Sequence, residues 1–425
     1  MEFDAFFPRP PQLRKDQKWH VFISYRSADR AWVLKLHDAL RHLGYEVFVD
    51  QFVLNAGAAL ASSLDEGIDK SGSSIIVWSK NYATSNWTKE EYNALKNRAN
   101  SDSNFILGVA AIDSTKLPGL LSGHVYTDFS QQPEGPSGEG LLRMVLGITG
   151  KPLPGEAVKL ATEIDTARKE QLVLIKAARE SDDPDRISEL AKSQDSAWTT
   201  SPILGCAAAE ALIAAEKFDA ADEILERLRG AFREAVRPRQ LEGLVARRRR
   251  DWQVAMRIFG AMYADNLRDP ETVGMYAATW MSRYRESKNR LHLLKSRDLY
   301  REAFESSLDS YNGINAATKS LLLGEHETAR QLAVRVDALF QEKEAADYFE
   351  AATLAESRLL QKDYAKARDL YSDAILMAPG ETGSHRATLE QAQAIMDELT
   401  TPQAERDGLE LVFAHLKKAA STSSN

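Results

Sequence analysis

Residues 20–50 read HVFISYRSADRAWVLKLHDALRHLGYEVFVD, and the alternation in this stretch decides the fold. It opens on a short apolar run, Val21 to Tyr25, rich in β-branched and aromatic residues. An amphipathic segment follows from Ala31 to Leu43, where Trp32, Leu36, Leu40 and Leu43 recur at the spacing of one helical face. A second apolar run, Tyr45 to Val49, ends against Asp50. Strand, helix and strand in this order predict a βαβ unit.

Working outward, three more runs read as strands: Ser74 to Trp78, Phe105 to Ala110 and Val125 to Phe129. All five are too continuous for a sheet with one wet face, so the expectation is a parallel sheet covered on both sides. Doubly wound α/β domains of this kind bind their ligands at the carboxyl ends of the strands. The first 17 residues carry adjacent prolines and little periodicity and read as a tail. From Gln131 to Gly155 the composition turns to Pro, Gly and Ser around a short helix at Leu141 to Leu146, which is linker chemistry. Beyond it the strand signal disappears and Ala, Leu, Arg and Glu recur with helical period. The expected layout is a tail at 1–17, an α/β domain at 18–150, a linker at 151–160, an all-α domain at 161–415 and a tail at 416–425.

Composition bounds the rest. A chain of 425 residues with 44% hydrophobic and 27% charged residues is an ordinary globular protein of two or more domains. The formal charge of -8 argues against a general nucleic-acid binder. No apolar stretch approaches the ~18 residues that span a bilayer, so no membrane partner is expected. The opening MEFDAFFPRPPQLRKDQ lacks a basic region followed by an apolar run, so it does not read as a secretory signal. The single cysteine, Cys206, excludes internal disulfides and a cysteine cluster for zinc, and the simplest setting is cytoplasmic. His20, His37, His42 and His124 follow no metal-ligand spacing, and no metal is expected. There is no GxxxxGK loop, which argues against ATP-driven work.

The helical half carries a repeat. Phe218, Trp252, His326 and Tyr364 each stand three residues before an alanine, Ala221, Ala255, Ala329 and Ala367. Each stands seven before Leu225, Phe259, Ala333 and Tyr371 in turn. The spacings are 34, 74 and 38 residues, the middle one being two units. Small residues at fixed offsets let paired helices approach closely while the larger ones fill the adjoining groove. The last unit, DYAKARDLYSDAILMAP (363–379), is the clearest. This half resembles tetratricopeptide repeats, helix pairs of about 34 residues that stack as a solenoid. The stretch NGINAATKSLLLGEHETAR (312–330) is also similar to the divergent TRAF-binding repeats of kinase regulators.

In the first half, FISYR closes the first strand and VFVD the second. A loop with Ala56 and Gly57 follows, then SIIVWS (74–79), SNWTKEE (85–91), LPGLL (117–121) and VYTDF (125–129). In that order and spacing, residues 18–150 resemble a TIR domain. The resemblance implies a flavodoxin-like fold with a five-stranded parallel sheet. Many TIR domains, above all bacterial ones, cleave NAD+ at the bond to nicotinamide, using a glutamate four residues after a Trp or Cys at the start of the third helix. Trp87 and Glu91 stand at that spacing, one helical turn apart. The resemblance therefore implies Glu91 as the catalytic group and Trp87 as an aromatic wall. It further implies Ser24, Arg26, Asp50 and Gly57 around the substrate, with Arg26 suited to phosphate and Gly57 to a positive φ. NAD+ enters as substrate, and no cofactor is needed. One carboxylate suffices because the nicotinamide of NAD+ is already cationic and departs neutral, leaving only the oxocarbenium-like ribose to stabilise. The loop VLNAGAA (53–59) departs from the animal enzyme, which has basic and acidic residues there and an aromatic after the glycine.

Plainer readings stand beside these. A glutamate on an amphipathic helix is ordinarily a solvated surface residue, and Glu90 reads that way. Trp87 also suits packing of helix on sheet, Arg26 an exposed ion pair, and Asp50 a brace for its loop. The run Arg247 to Arg250 splays around a helical turn and reads as repeat surface. Two functions follow. In the first, the chain is an NAD+ hydrolase, or makes a cyclic ADP-ribose. TIR self-association, or a protein or small signal held by the repeats, gates it, in the style of bacterial antiphage defence. In the second, it is a non-catalytic scaffold whose repeats bind peptides.

Overall fold

The computed structural model describes residues 3–49, 60–84, 88–119, 124–340, 345–380 and 382–416. The chain forms two compact units, Met1–Leu267 and Arg268–Asn425.

The first unit is built on five parallel strands: β1 (Trp19–Ser24), β2 (Val47–Phe48), β3 (Ser71–Trp78), β4 (Ile106–Ala111) and β5 (Val125–Asp128). Their order is β2-β1-β3-β4-β5, with Val21 of β1 opposite Val47 on one side and Ser73 on the other. Among the described residues these helices accompany them: α1 (Arg30–His42), α2 (Leu60–Asp69), α3 (Lys80–Ala83), α4 (Thr88–Ser101), α5 (Gly138–Ile148) and α6 (Gly155–Glu180). Side chains alternate across a strand. Val21, Ile23, Ile75 and Val77 therefore pack beneath Trp32, Leu36 and Leu40 of α1 and Met144, Val145 and Ile148 of α5. Phe22, Ile76 and Trp78 face Ile68 of α2 and Leu95 of α4. The sheet is thus buried on both faces, as its continuous apolar runs require.

Three expectations are corrected. The second strand shortens to Val47–Phe48, because the Tyr45 N–H donates to Leu40 O at 3.0 Å and so still closes the end of α1, while its buried side chain donates its hydroxyl to Pro8 O at 2.9 Å. That bond exposes the second correction. Residues 3–17 are no tail along the described part: Phe3 is buried with Leu142, Leu146, Ala157, Ala161 and Ile164, and Pro11 O meets His20 Nε2 at 2.9 Å. Aromatic burial worth about 2 kcal/mol per ring holds the segment where local periodicity says nothing. Third, residues 155–160 belong to α6 and not to a linker. This helix is fastened to the sheet domain by Asp165. Its carboxylate accepts from Ser137 Oγ and Glu139 N, both at 3.0 Å, and so caps α5. Gly138, at φ +55°, makes room: a Cβ there would lie 2.2 Å from the Asp165 carboxyl atoms.

After α6 come two short helices, Pro184–Leu190 and Ser196–Thr199, and then helix pairs. The first unit holds Ile203–Ala214 with Phe218–Ala231 and Val236–Arg248 with Trp252–Ala264. The second holds Pro270–Ser287 with Arg290–Ser307, Ser310–Leu322 with His326–Ala338 and Tyr348–Leu360 with Tyr364–Met377, followed by Thr382–Glu398 and Gln403–Val412. Phe218, Trp252, His326 and Tyr364 each open the second helix of a pair. The alanines three residues on are buried, and so are Leu225, Phe259, Ala333 and Tyr371. Two residues before each of those four openings the backbone is left-handed, at Glu216, Arg250, Gly324 and Lys362. Facing helices touch closely: a Cβ on Gly243 would come within 2.5 Å of the Phe259 ring. Arg249 reaches Asp219 and Asp222, both at 2.5 Å, so the arginine run is in part a surface ion network. Cys206 is buried among these helices, and burial pushes its thiol pKa up, which leaves it unreactive. Among the described residues no helix is long and apolar enough to cross a membrane.

Candidate active site

The order β2-β1-β3-β4-β5 reverses direction at β1, so the crevice at the carboxyl ends of β1 and β3 is the topological switch point. Two chain segments leave the sheet there. One runs from Ser24 to the start of α1, the other from Trp78 through α3 towards α4. Their side chains are tied together. Ser24, buried at the end of β1, lies 2.9 Å from the hydroxyl of Tyr82 on α3. Asp29, also buried, stands at the N-cap position of α1 yet makes no cap hydrogen bond with its side chain. Its carboxylate instead accepts from Ser79 Oγ at 2.6 Å and from Asn81 Nδ2 at 2.7 Å. Ser79 in turn caps α3, accepting from Tyr82 N at 3.0 Å.

The end of β4 closes the other side. Asp113 accepts from Lys80 N at 2.7 Å and Thr115 N at 2.9 Å, while Trp78 Nε1 donates to Thr115 O at 3.1 Å. Burial pushes the Asp113 carboxyl up, but these hydrogen bonds hold it below the ordinary carboxylate value, so it is an anion near neutrality. The edge is therefore a frame in which the buried Asp29 holds the side chains of Ser79 and Asn81 and the half-buried Asp113 holds the backbone of Lys80 and Thr115.

Among the residues singled out from sequence, Ser24 and Arg26 lie at the carboxyl end of β1, Arg26 half-buried. The backbone of Glu91 falls in the first turn of α4. Because α4 crosses from β3 to the parallel β4, that turn belongs to the carboxyl-end side of the sheet. The side chain of Glu91, with Asp50, Gly57 and Trp87, lies outside the described residues. Sequence reading passed over Asp29, Ser79, Asn81, Tyr82 and Asp113. The available signal was local: a serine directly after a buried strand and before a helix is an N-cap pattern. Its partner, Asp29, is 50 residues away and has no such mark. Among the described residues no group of three or more His, Cys, Asp or Glu could hold a metal ion.

A parallel five-stranded sheet in this order, with its loops latched at the β1–β3 edge, agrees with the family model that matches residues 21–145, described as TIR domain. Residues 21–145 are a TIR domain. A second model, Tetratricopeptide Repeats-Sensor, matches residues 214–322, so sensor-type repeats follow the TIR domain. The TIR domain is 31% identical over 94 residues to a 2' cyclic ADP-D-ribose synthase of Bacteroides thetaiotaomicron, covering 22% of this chain and 33% of that protein. It is 30% identical over 114 residues to an NAD(+) hydrolase of Escherichia coli O6:H1, covering 25% of this chain and 37% of that protein. It is 30% identical over 95 residues to a 2' cyclic ADP-D-ribose synthase of Acinetobacter baumannii, covering 22% and 35%. The chain spans about a third of the length of the curated relatives it matches.

Proposed function

We propose that this chain is a TIR-domain NAD+ glycohydrolase with a repeat sensor. The reading rests on one coincidence. Glu91, four residues after Trp87, falls in the first turn of α4 in a TIR domain similar to proteins named for NAD+ hydrolysis and ADP-ribose cyclisation.

In the reaction the bond from the ribose anomeric carbon to the nicotinamide nitrogen breaks. Its electron pair goes to the ring, which leaves as neutral nicotinamide. The Glu91 carboxylate stabilises the oxocarbenium-like ribose and orients its hydroxyls. Water then attacks the anomeric carbon and loses a proton, giving ADP-ribose; attack by a hydroxyl of the same molecule gives a cyclic product. Ser24, Arg26, Asp50, Gly57 and Trp87 surround the substrate, Arg26 on phosphate and Trp87 beside the sugar. TIR domains of several copies associate to complete the site, and a protein or small signal bound by the repeats governs that assembly. Depletion of NAD+ would serve defence against phage.

The test is nicotinamide release by the purified full chain across a protein concentration series, with products separated by chromatography. Wild type is expected to release nicotinamide faster than in proportion to its concentration. Glu91→Gln is expected to lose at least about 100-fold in rate while associating as wild type does. Equal rates in the two proteins would refute the role of Glu91.

A further inference from the structure

Helix α1 joins the candidate site to the repeats. Asp29, which latches Ser79 and Asn81, stands at its start. Nine residues on, about 14 Å along the axis, one face of the same helix meets the first repeats. Asp38 accepts from Val236 N at 2.8 Å and lies 3.1 Å from His37 Nδ1. Arg41 approaches Glu234 at 3.9 Å, and the His42 ring packs 4.6 Å from that of Phe232. Lys35, a turn earlier, is held in electrostatic reach of Glu210 and Arg237. Residues 35, 38, 41 and 42 share one helical face, so the contact is a docked surface and not a single bond.

The bond at its centre has a specific job. Val236 opens the helix Val236–Arg248, whose own N-cap position, Ala235, supplies no side-chain cap. The first N–H groups of a helix need acceptors, and its positive end favours an anion. Both needs are met here by a carboxylate 198 residues away in the chain. A pocket lined by Phe3, Asp38, His42, Thr200 and Phe232 lies beside this contact.

We propose that Asp38 is a positioning residue: by capping the helix Val236–Arg248 it fixes the seat of α1, and through α1 it holds the Asp29 latch at the strand ends. A movement in the repeats around Val236 is then passed along α1 as a rigid rod to Ser79 and Asn81. The inference rests on the functional reading above only in taking the β1–β3 edge as the working site.

The test is hydrogen exchange by mass spectrometry on the full chain and three variants, comparing residues 24–31 and 79–83 with residues 232–245. Asp38→Ala removes the acceptor. Val236→Pro removes the donor at the first helical position, where proline is tolerated. Asp38→Asn keeps an acceptor oxygen. Asp38→Ala and Val236→Pro are expected to speed exchange at 24–31 and 79–83 roughly five- to tenfold, with Asp38→Asn within about twofold of wild type. Loosening confined to 232–245 overturns the proposal. So does equal loosening in Asp38→Asn, or uniform loosening through the whole first unit, which would make Asp38 an ordinary fold contact. The readout needs no turnover: a chain that never releases nicotinamide counts against the NAD+ reading, while the exchange pattern still decides this one. Where turnover is measurable, Asp38→Ala is expected to change kcat more than KM.

Discussion

The sheet domain and the C-terminal repeats bury charge in different ways. In the sheet domain Asp29, Asp38 and Asp165 are buried or nearly so, and each takes donors at a helix or strand end. They fasten one element to another. In the second unit Asp269 repeats that device by capping Pro270–Ser287, but the buried Glu356 and Lys319 stand away from any helix N-terminus. Glu356 accepts from Thr318 and, at 2.7 and 2.6 Å, from Gln391 Nε2. Lys319 donates to Asn315 and rests 5.3 Å over the ring of Tyr300. They face no free backbone donors of a helix start, so Glu356 takes its partners from two neighbouring helices and Lys319 from its own. The carboxylates of the first region set where elements begin; the network of the second sets how Ser310–Leu322, Tyr348–Leu360 and Thr382–Glu398 register against each other.

Breaking the network should give the largest effect. Glu356→Ala leaves Lys319 without its nearby opposite charge and is expected to cost about 3–5 kcal/mol. In segment-resolved denaturant melts the second unit should unfold earlier while the sheet domain stays put. Replacing Lys319 and Glu356 together by Met and Leu should recover most of that loss, because a buried pair is often replaced by apolar packing at little cost. Breaking a fastener comes next. Gly138→Ala forces a side chain onto a left-handed residue and into the Asp165 carboxyl. About 2–3 kcal/mol is expected, read as a lower melting temperature of the first unit alone. A pH series sharpens the contrast with the smallest change. Burial, aided by Arg285 and opposed by Glu356, pushes Lys319 down to about 8. Between there and its ordinary 10.5 the folded state binds fewer protons than the unfolded one, so the second unit should gain stability as pH rises through that window. Burial raises the Glu356 carboxyl, which works the other way: its contribution falls as pH climbs past the ordinary carboxylate range. Lys319→Met should flatten the alkaline limb.

The fold was legible wherever periodicity carried it. The runs at Val21 and Ser74 and the face of Trp32, Leu36 and Leu40 announced a covered parallel sheet, and the alanines at 221, 255, 329 and 367 announced the helix pairs. The pair Pro270–Ser287 and Arg290–Ser307 showed only as the doubled spacing between Trp252 and His326, because both helices run to 18 residues and Leu293 stands where the others have alanine. Ser296 supplies the close approach instead, its Oγ donating to Ala277 O at 2.8 Å. The segment 3–17, the latch of Asp29 on Ser79 and the cap of Asp38 on Val236 were not legible, since each joins residues far apart in sequence and leaves no local periodic mark. Of the candidate site, Ser24 and Arg26 could be put at a strand end from the sequence alone. The hydroxyl of Tyr82 against Ser24 could not.

The two borrowed caps bear on how the protein is made. A ribosome releases the sheet strands first, yet α5 lacks its acceptor until Asp165 emerges, and α1 lacks its docking partner until Val236 does. The TIR half of the nascent chain is therefore incomplete long after its last strand has been synthesised. It acquires its final rigidity only when the opening repeats have arrived beside it.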